Sequence, residues 1–263
     1  LKKCEPELNK LKESLAHDFK EGKIKADDYG LAKKKIDGHL ANIDRAKAKD
    51  IRDIFPLHYT VLLAALPGVG KFEYCVSLAK HWLEKGENVV FIATEKSPDR
   101  IKEKMGALGL DIEKYEGKKF VFIDIYSHST KEKYEKGLYV DNPANLNLIS
   151  VNLDKAAEMV GKPAKIIFDS LSTLFLHAPD AEIKKFFRTL NSRARAEYGL
   201  IIYTMEEEMH EPRTVIALKH LVDCVMEMRF DEEDRLKRQF RIAYAKDIIY
   251  PPDWFEYKIV PPR

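Results

Sequence analysis

From Leu57 onwards the chain alternates short apolar runs with amphipathic segments, and this rhythm restricts the fold more than any single residue does. "YTVLLAAL", "NVVFIAT", "KFVFIDIY", "AKIIFDS" and "LIIYTM" are each short, rich in β-branched or aromatic residues, and separated by segments of helical period. Runs of four to eight apolar residues read as strands buried on both faces. Strands separated by helices predict a doubly wound, mainly parallel α/β sheet. Between the first and second strands a helix is predicted over 74–85, closed by Gly86. Ser97 and Pro98 supply an N-cap and a first helical residue for the next helix. Asn142-Pro143 leads into a helix ending near Gly161, and a long helix is predicted over 181–198. Three alternating runs near the end, "VDCVMEMRFD", "LKRQFRIAYAK" and "WFEYKIV", predict an antiparallel extension of the sheet.

Residues 1–53 have a different texture. Leu8, Leu11, Leu15 and Phe19 form one apolar stripe at helical spacing, and Tyr29, Ala32, Ile36, Leu40 and Ile43 form another. Gly22 is a stop between them and Asp27 a suitable N-cap. The expectation is a helical hairpin over 1–53, serving as an oligomerisation or docking arm or packing on the main domain, followed by an α/β domain over 54–263. The lysines at 33–35 read as a solvated helix face.

Composition excludes several classes. Lys and Arg number 45 against 43 Asp and Glu, so no global basic excess points to nucleic acid. Three scattered cysteines without a CxxC pair argue against a disulfide framework or a zinc site. The eight histidines show no HxH or HxxxH spacing, and no serine sits in a GxSxG elbow. No apolar run reaches membrane-spanning length. A soluble, cytoplasmic protein is expected, and the abundance of Lys and Glu with a single Gln, Gln239, leans towards a thermophile.

The chemistry concentrates in "AALPGVGKFEYC", Ala64 to Cys75. It follows a buried strand and opens a helix, the setting of a GxxxxGK(S/T) phosphate-binding loop. Gly70 and Lys71 are kept, while Ala65 stands for the first glycine and Phe72 for the hydroxyl residue that ligates magnesium. The N–H groups from Gly68 and Val69 to Phe72 could still form an anion cradle, with Lys71 reaching the phosphates. Glu73 opposes this, its like charge costing on the order of 1 to 4 kcal/mol near a phosphate. Asp169 ends an apolar strand as a magnesium-associated carboxylate would, and Glu95 ends the second strand where it could activate a water.

With these features in order, the chain resembles the KaiC family of RecA-like ATPases, common in archaea. The run "FIATEKSPDRIKEKMGALGLDIEKYEGKKFVFIDIYS" carries the closest match, supported by "IIFDSLSTLFLHAP" and "VIALKHLVDCVMEMRF". The likeness spans about Asp53 to the end. It implies Lys71 as the phosphate lysine, Asp169 as the magnesium-associated acid, Glu95 as the water-activating glutamate, and ATP with Mg as cofactors. The family's second acid is Lys96 here. Its Lys-x-Arg pair, which reaches the neighbouring subunit's γ-phosphate, is replaced by "YAKD", leaving Lys246 alone in a trans-acting position. These departures lead to the expectation of a degenerate, regulatory or scaffolding protein with weak or lost ATPase activity, partnered by another protein or by itself. An active ATPase in signalling or in DNA recombination and repair is the alternative, and a peptide-binding module in the former nucleotide cleft is the second. The acidic run 206–211, expected as a solvated loop, would repel DNA there. The peptide-binding reading predicts that cleft filled by Phe72 or closed by a Glu73–Lys71 contact, whereas Phe72 turned into the core would leave it open and favour the enzyme.

Overall fold

The computed structural model describes residues 4–47, 51–130, 133–234, 236–248, 250 and 253–257. Among these, nine strands form one sheet: β1 (Tyr59–Ala65), β2 (Val89–Ala93), β3 (Phe120–Asp124), β4 (Leu138–Tyr139), β5 (Ala164–Asp169), β6 (Gly199–Glu206), β7 (Cys224–Phe230), β8 (Arg238–Ala245) and β9 (Phe255–Tyr257). Their spatial order is β4-β3-β2-β5-β6-β1-β7-β8-β9, and the pairs from β4 across to β7 are parallel.

The helices are α1 (Cys4–Lys20), α2 (Ala26–Lys47), α3 (Lys71–Glu84), α4 (Pro98–Ala107), α5 (Leu146–Val160), α6 (Leu171–Leu174), α7 (Asp180–Arg193) and α8 (Pro212–Leu221). Side chains alternate across a strand. Leu62, Val90, Ile92, Ile166, Phe168, Ile201 and Tyr203 therefore share one sheet face, where they form a core with α5 and α7. Val61, Leu63, Phe91, Ile167 and Ile202 point to the other face and are fully buried too. Burial on both sides is why these strands read as unbroken apolar runs.

The local signals act as expected. The Ser97 hydroxyl accepts from the Arg100 N–H and caps α4. The Asn145 side chain accepts from Leu148 N–H and caps α5. α7 is shorter than the predicted helix over 181–198, because Ala194–Tyr198 widens into a π-helical turn ending at Gly199.

The antiparallel extension begins later than expected. β7 runs parallel to β1, with Val61 opposite Cys224, because α8, unread in the sequence, returns the chain to the same end of the sheet. β8 and β9 are antiparallel. Strand β9 is three residues long, and the rest of "WFEYKIV" falls outside the described residues after Tyr257.

The described residues to Phe55, with 245–248 and 250, form one compact unit, and 56–244 with 253–257 form the other. In the first, α1 and α2 pack as a hairpin, with Phe19 stacked on Tyr29 at 4.3 Å and Lys12 paired with Asp37 at 2.6 Å. Leu8 and Leu15 are half-buried, but Leu11 is 55% exposed, so the stripe of α1 is covered only in part. Of the α2 stripe Ile36 is buried, and the Ile43 side chain lies outside the described residues. No helix among the described residues is long and apolar enough to cross a membrane.

Gly199 opens β6 at φ 121°, and a Cβ there would lie 2.4 Å from the Ala164 carbonyl oxygen. Only glycine tolerates both the dihedral and the approach. Gly199→Ala is expected to cost about 3 kcal/mol or more and to lower the melting temperature by about 6 °C or more. Thermal denaturation followed by circular dichroism checks it.

Candidate functional site

The parallel strands end together on one edge. Register sets Ala93 of β2 beside Asp169 of β5, and Ala65 of β1 beside Glu206 of β6. In an open α/β sheet ligands bind in the crevice outside these carboxyl ends. The loop from Leu66 to Gly70 leaves β1 and turns into α3. Gly68 and Gly70 adopt φ of 77° and 104°, left-handed backbone that lets the chain enter the helix abruptly. The first-turn N–H groups of α3 have no carbonyl one turn earlier to bond, so the loop retains the form of an anion cradle. Val69 is buried and anchors it.

Lys71 is the first residue of α3 and is almost wholly buried, 6% exposed. Its ammonium donates to the carbonyl oxygens of Ala65 at 3.1 Å and Leu66 at 2.9 Å, and to Glu206 Oε2 at 2.8 Å. All three of its protons are engaged. The partner that closes on Lys71 is therefore Glu206, not Glu73. Glu73 turns away to Lys104 at 3.8 Å. Phe72 neither enters the core nor plugs the loop. It lies half-buried on the wall of a cavity of about 600 Å³, which Glu95, Lys96, Lys104 and Tyr126 also line.

Asp169 is buried at the end of β5 and accepts a hydrogen bond from Thr204 Oγ1 at 2.6 Å. Burial raises its pKa to about 6. Thr204 opposes the rise, Glu95 adds to it, and Lys96 and Lys71 oppose it. Lys71, Glu95 and Lys96 are thus each close enough for their charge to act on Asp169. Cys75, one turn along α3, senses Asp169, Lys71 and Glu73, and burial pushes its thiol well up. Thr94 ties the strand ends together: its N–H donates to the Asp169 carbonyl at 2.9 Å, and its hydroxyl accepts from Ser170 N–H.

The acidic run is not a solvated loop. Glu206 belongs to β6 and holds Lys71, while Glu207 pairs with Lys219 at 2.6 Å and Lys219 also holds Glu227 at 3.0 Å. His210 is not an idle surface residue either, since its Nε2 lies 2.7 Å from Ser172 Oγ, which accepts from the Glu206 N–H. Lys246 stands exposed in a bend after β8, in the unit that contains the helical hairpin.

Of the residues singled out in the sequence, Gly68, Val69, Gly70, Lys71, Glu95 and Asp169 gather at this edge. Sequence reasoning missed Glu206 and Thr204. The apolar run "LIIYTM" ends at Met205, one residue short of Glu206, which β6 includes and sets opposite Ala65.

Magnesium seeks several oxygen ligands in near-octahedral array. Phe72 offers none, the Asp169 carboxyl is buried with one oxygen already bonded to Thr204, and the cation Lys96 stands beside it. This donor set does not suit a loop-held magnesium ion.

A buried strand–loop–helix cradle with a lysine, followed by a strand-end aspartate on a parallel sheet, defines the RecA-like P-loop fold. The family described as "ATPase: KaiC" matches residues 45–261, and the chain belongs to that family. It is 32% identical over 126 residues to a UPF0273 protein of Aeropyrum pernix, covering 47% of this chain and 50% of that protein. It is 29% identical over 192 residues to a UPF0273 protein of Methanocaldococcus jannaschii, covering 70% and 77%. The chain thus spans about half the length of the Aeropyrum relative. Among solved structures, the uncharacterized protein PH0321 of Pyrococcus horikoshii, in complex with an unknown peptide, shares the fold at TM-score 0.64 and 14% identity, covering 83% of this chain and 93% of that one. The KaiC-like protein PH0186 of the same organism does so at TM-score 0.60 and 16% identity, covering 78% and 87%.

Because the folded-state pKa of Asp169 lies above that of a free carboxyl, ionising it opposes folding. The penalty is absent at low pH, grows from about pH 4 to pH 6, and is complete above that, on the order of 3 kcal/mol. Asp169→Asn keeps the acceptor for Thr204 and removes the charge. It is expected to raise the melting temperature at pH 8 by about 5 to 10 °C, with the gain vanishing near pH 4. Melting curves across that range check it.

Proposed function

We propose that this KaiC-family chain is a regulatory or scaffolding protein that binds nucleotide phosphates weakly through Gly68, Val69, Gly70 and Lys71 and does not turn ATP over efficiently. The observation that carries the reading is the Lys71–Glu206 pair. A phosphate must displace a carboxylate from a nearly buried ammonium before it gains the lysine, and a buried charge left without its partner is costly. Glu95 retains the place of a water-activating base, but Lys96 follows it where the family's second acid would be. The exposed Lys246 lacks the planar fork of an arginine for a neighbour's γ-phosphate. Hydrolysis is thus weakened at the base, at the metal and at the trans position by separate routes.

The partner on this reading is another protein or a second copy of the chain, and the remaining exposed carboxylates Glu208 and Glu211 oppose DNA at that edge. A second reading, a peptide-binding module, is favoured by the closure of the loop lysine on a carboxylate, here Glu206, and by the peptide bound to the structural neighbour PH0321.

Calorimetric titration of ATP tests the proposal. Wild type is expected to bind more weakly than about 100 μM, and Lys71→Ala not at all. Glu206→Gln, which frees the lysine, is expected to bind about tenfold more tightly. None should hydrolyse ATP above background. Steady turnover lost in both Lys71→Ala and Glu95→Gln would establish an active ATPase instead. Binding indifferent to Lys71 and Glu206 would favour the peptide-binding reading.

A further inference from the structure

The cavity beside the loop holds a cation without an ionic partner. Among the described residues Lys96 makes no ion pair, and its ammonium rests 4.3 Å from the centroid of the Phe72 ring. The other cations on the cavity wall are committed: Arg100 to Glu103 at 3.2 Å and Lys104 to Glu73 at 3.8 Å. Glu95, next to Lys96 and on the same wall, also has no hydrogen-bond or ion-pair partner among the described residues.

The position of Lys96 follows from the sheet. Ala93 pairs with Asp169, so Lys96 lies three residues beyond the strand end that flanks this carboxylate. Its charge is felt at Asp169, as is that of Lys71. Phe72 occupies the place from which a loop hydroxyl would hold a metal ion, and its ring instead steadies the ammonium by attraction to the π face. Loss of a metal ligand and gain of a cation therefore occur together, at side chains in contact.

We propose that Lys96 serves in place of the divalent metal, so that this edge binds a polyphosphate, the phosphate chain of a nucleotide included, without magnesium. The Gly68–Lys71 cradle would take one phosphate through backbone N–H groups and the Lys71 ammonium. Lys96 would neutralise the terminal phosphate, which in magnesium-dependent relatives of the fold shares its oxygens with the ion. An ammonium is a compact point charge with three donors and suits phosphate oxygens without a fixed geometry. It does not organise a water for attack, which agrees with binding that does not lead to turnover. This inference deepens the preceding reading of the loop and rests on it.

The test uses the whole chain, with ATP and inorganic tripolyphosphate as probes, titrated in EDTA and again in magnesium. Both probes are expected to bind in EDTA, with affinities within about threefold of those in magnesium. Lys96→Gln should lose about tenfold in EDTA and recover part of that loss when magnesium is added. Circular dichroism confirms that the variant is folded, and Lys104→Gln, on the same wall but paired with Glu73, should change binding less than Lys96→Gln does. Binding that requires magnesium in the wild type overturns the inference and leaves the regulatory reading standing. So does binding in EDTA that Lys96→Gln leaves unchanged. No binding of either probe in either condition overturns both.

Discussion

The parallel ladder through β2, β5, β6 and β1 is the constraint on which the rest of this molecule depends. Its register sets Ala93 beside Asp169 and Ala65 beside Glu206, so four strands deliver their next residues to one edge. No individual contact at that edge could form without it. Lys71 meets Glu206 across 135 positions of sequence only because β1 and β6 are neighbours ending at the same level. The apolar faces that hold the ladder are buried on both sides, and this fixes both the strand order and the depth at which the polar residues sit.

That depth has a cost, and the structure meets it with partners. Thr60 and Asp223 bond one another side chain to side chain at 2.7 Å, and Arg195 donates to Asp223 at 2.9 Å, which pins the start of β1 to the start of β7. At the opposite end Asp169 has, among the described residues, Thr204 alone as a side-chain hydrogen-bond donor to its carboxylate, and that bond only partly offsets the rise in proton affinity that burial imposes. A framework carboxylate such as Asp223 is fully bonded, whereas Asp169 is held under-satisfied beside two lysines. Groups left in that condition concentrate where a protein does chemistry or binds charge.

Much of this was legible in the sequence, for a definite reason. Strands buried on both faces leave apolar runs with no polar interruption, so β1, β2, β3, β5 and β6 stood out. Because parallel strands end at one edge, residues closing such runs, Glu95 and Asp169 among them, were bound to gather. Strand direction was less legible. β7 read as antiparallel because α8 is a short helix between an acidic run and a strand, and its ten residues reverse the meaning of the connection. Glu206 was hidden by register: one residue separates a loop acid from the partner of Lys71, and composition is blind to that step. The proposed role of Lys96 was harder still to read, since a lysine after a glutamate reads as a lost acid until its distance from Phe72 is known.

The departures from a conventional phosphate-binding loop make more sense as a set than singly. Phe72 alone would remove a metal ligand and leave phosphate charge unbalanced. Lys96 alone would set a cation against a bound metal ion. On the proposed reading they together exchange one positive centre for another, and the Phe72 ring is the surface on which the Lys96 ammonium rests. Glu206 then opposes the loop from the other side, because it neutralises Lys71 whenever no phosphate is present. An ammonium without its carboxylate in that nearly buried position would be costly. The pair therefore stabilises the empty cradle and penalises the filled one. On the proposed reading the site is tuned for reversible occupancy: Lys96 and the backbone N–H groups would attract a phosphate chain, and Glu206 would limit how tightly it is held. Such a balance would suit the proposed regulatory role better than efficient turnover.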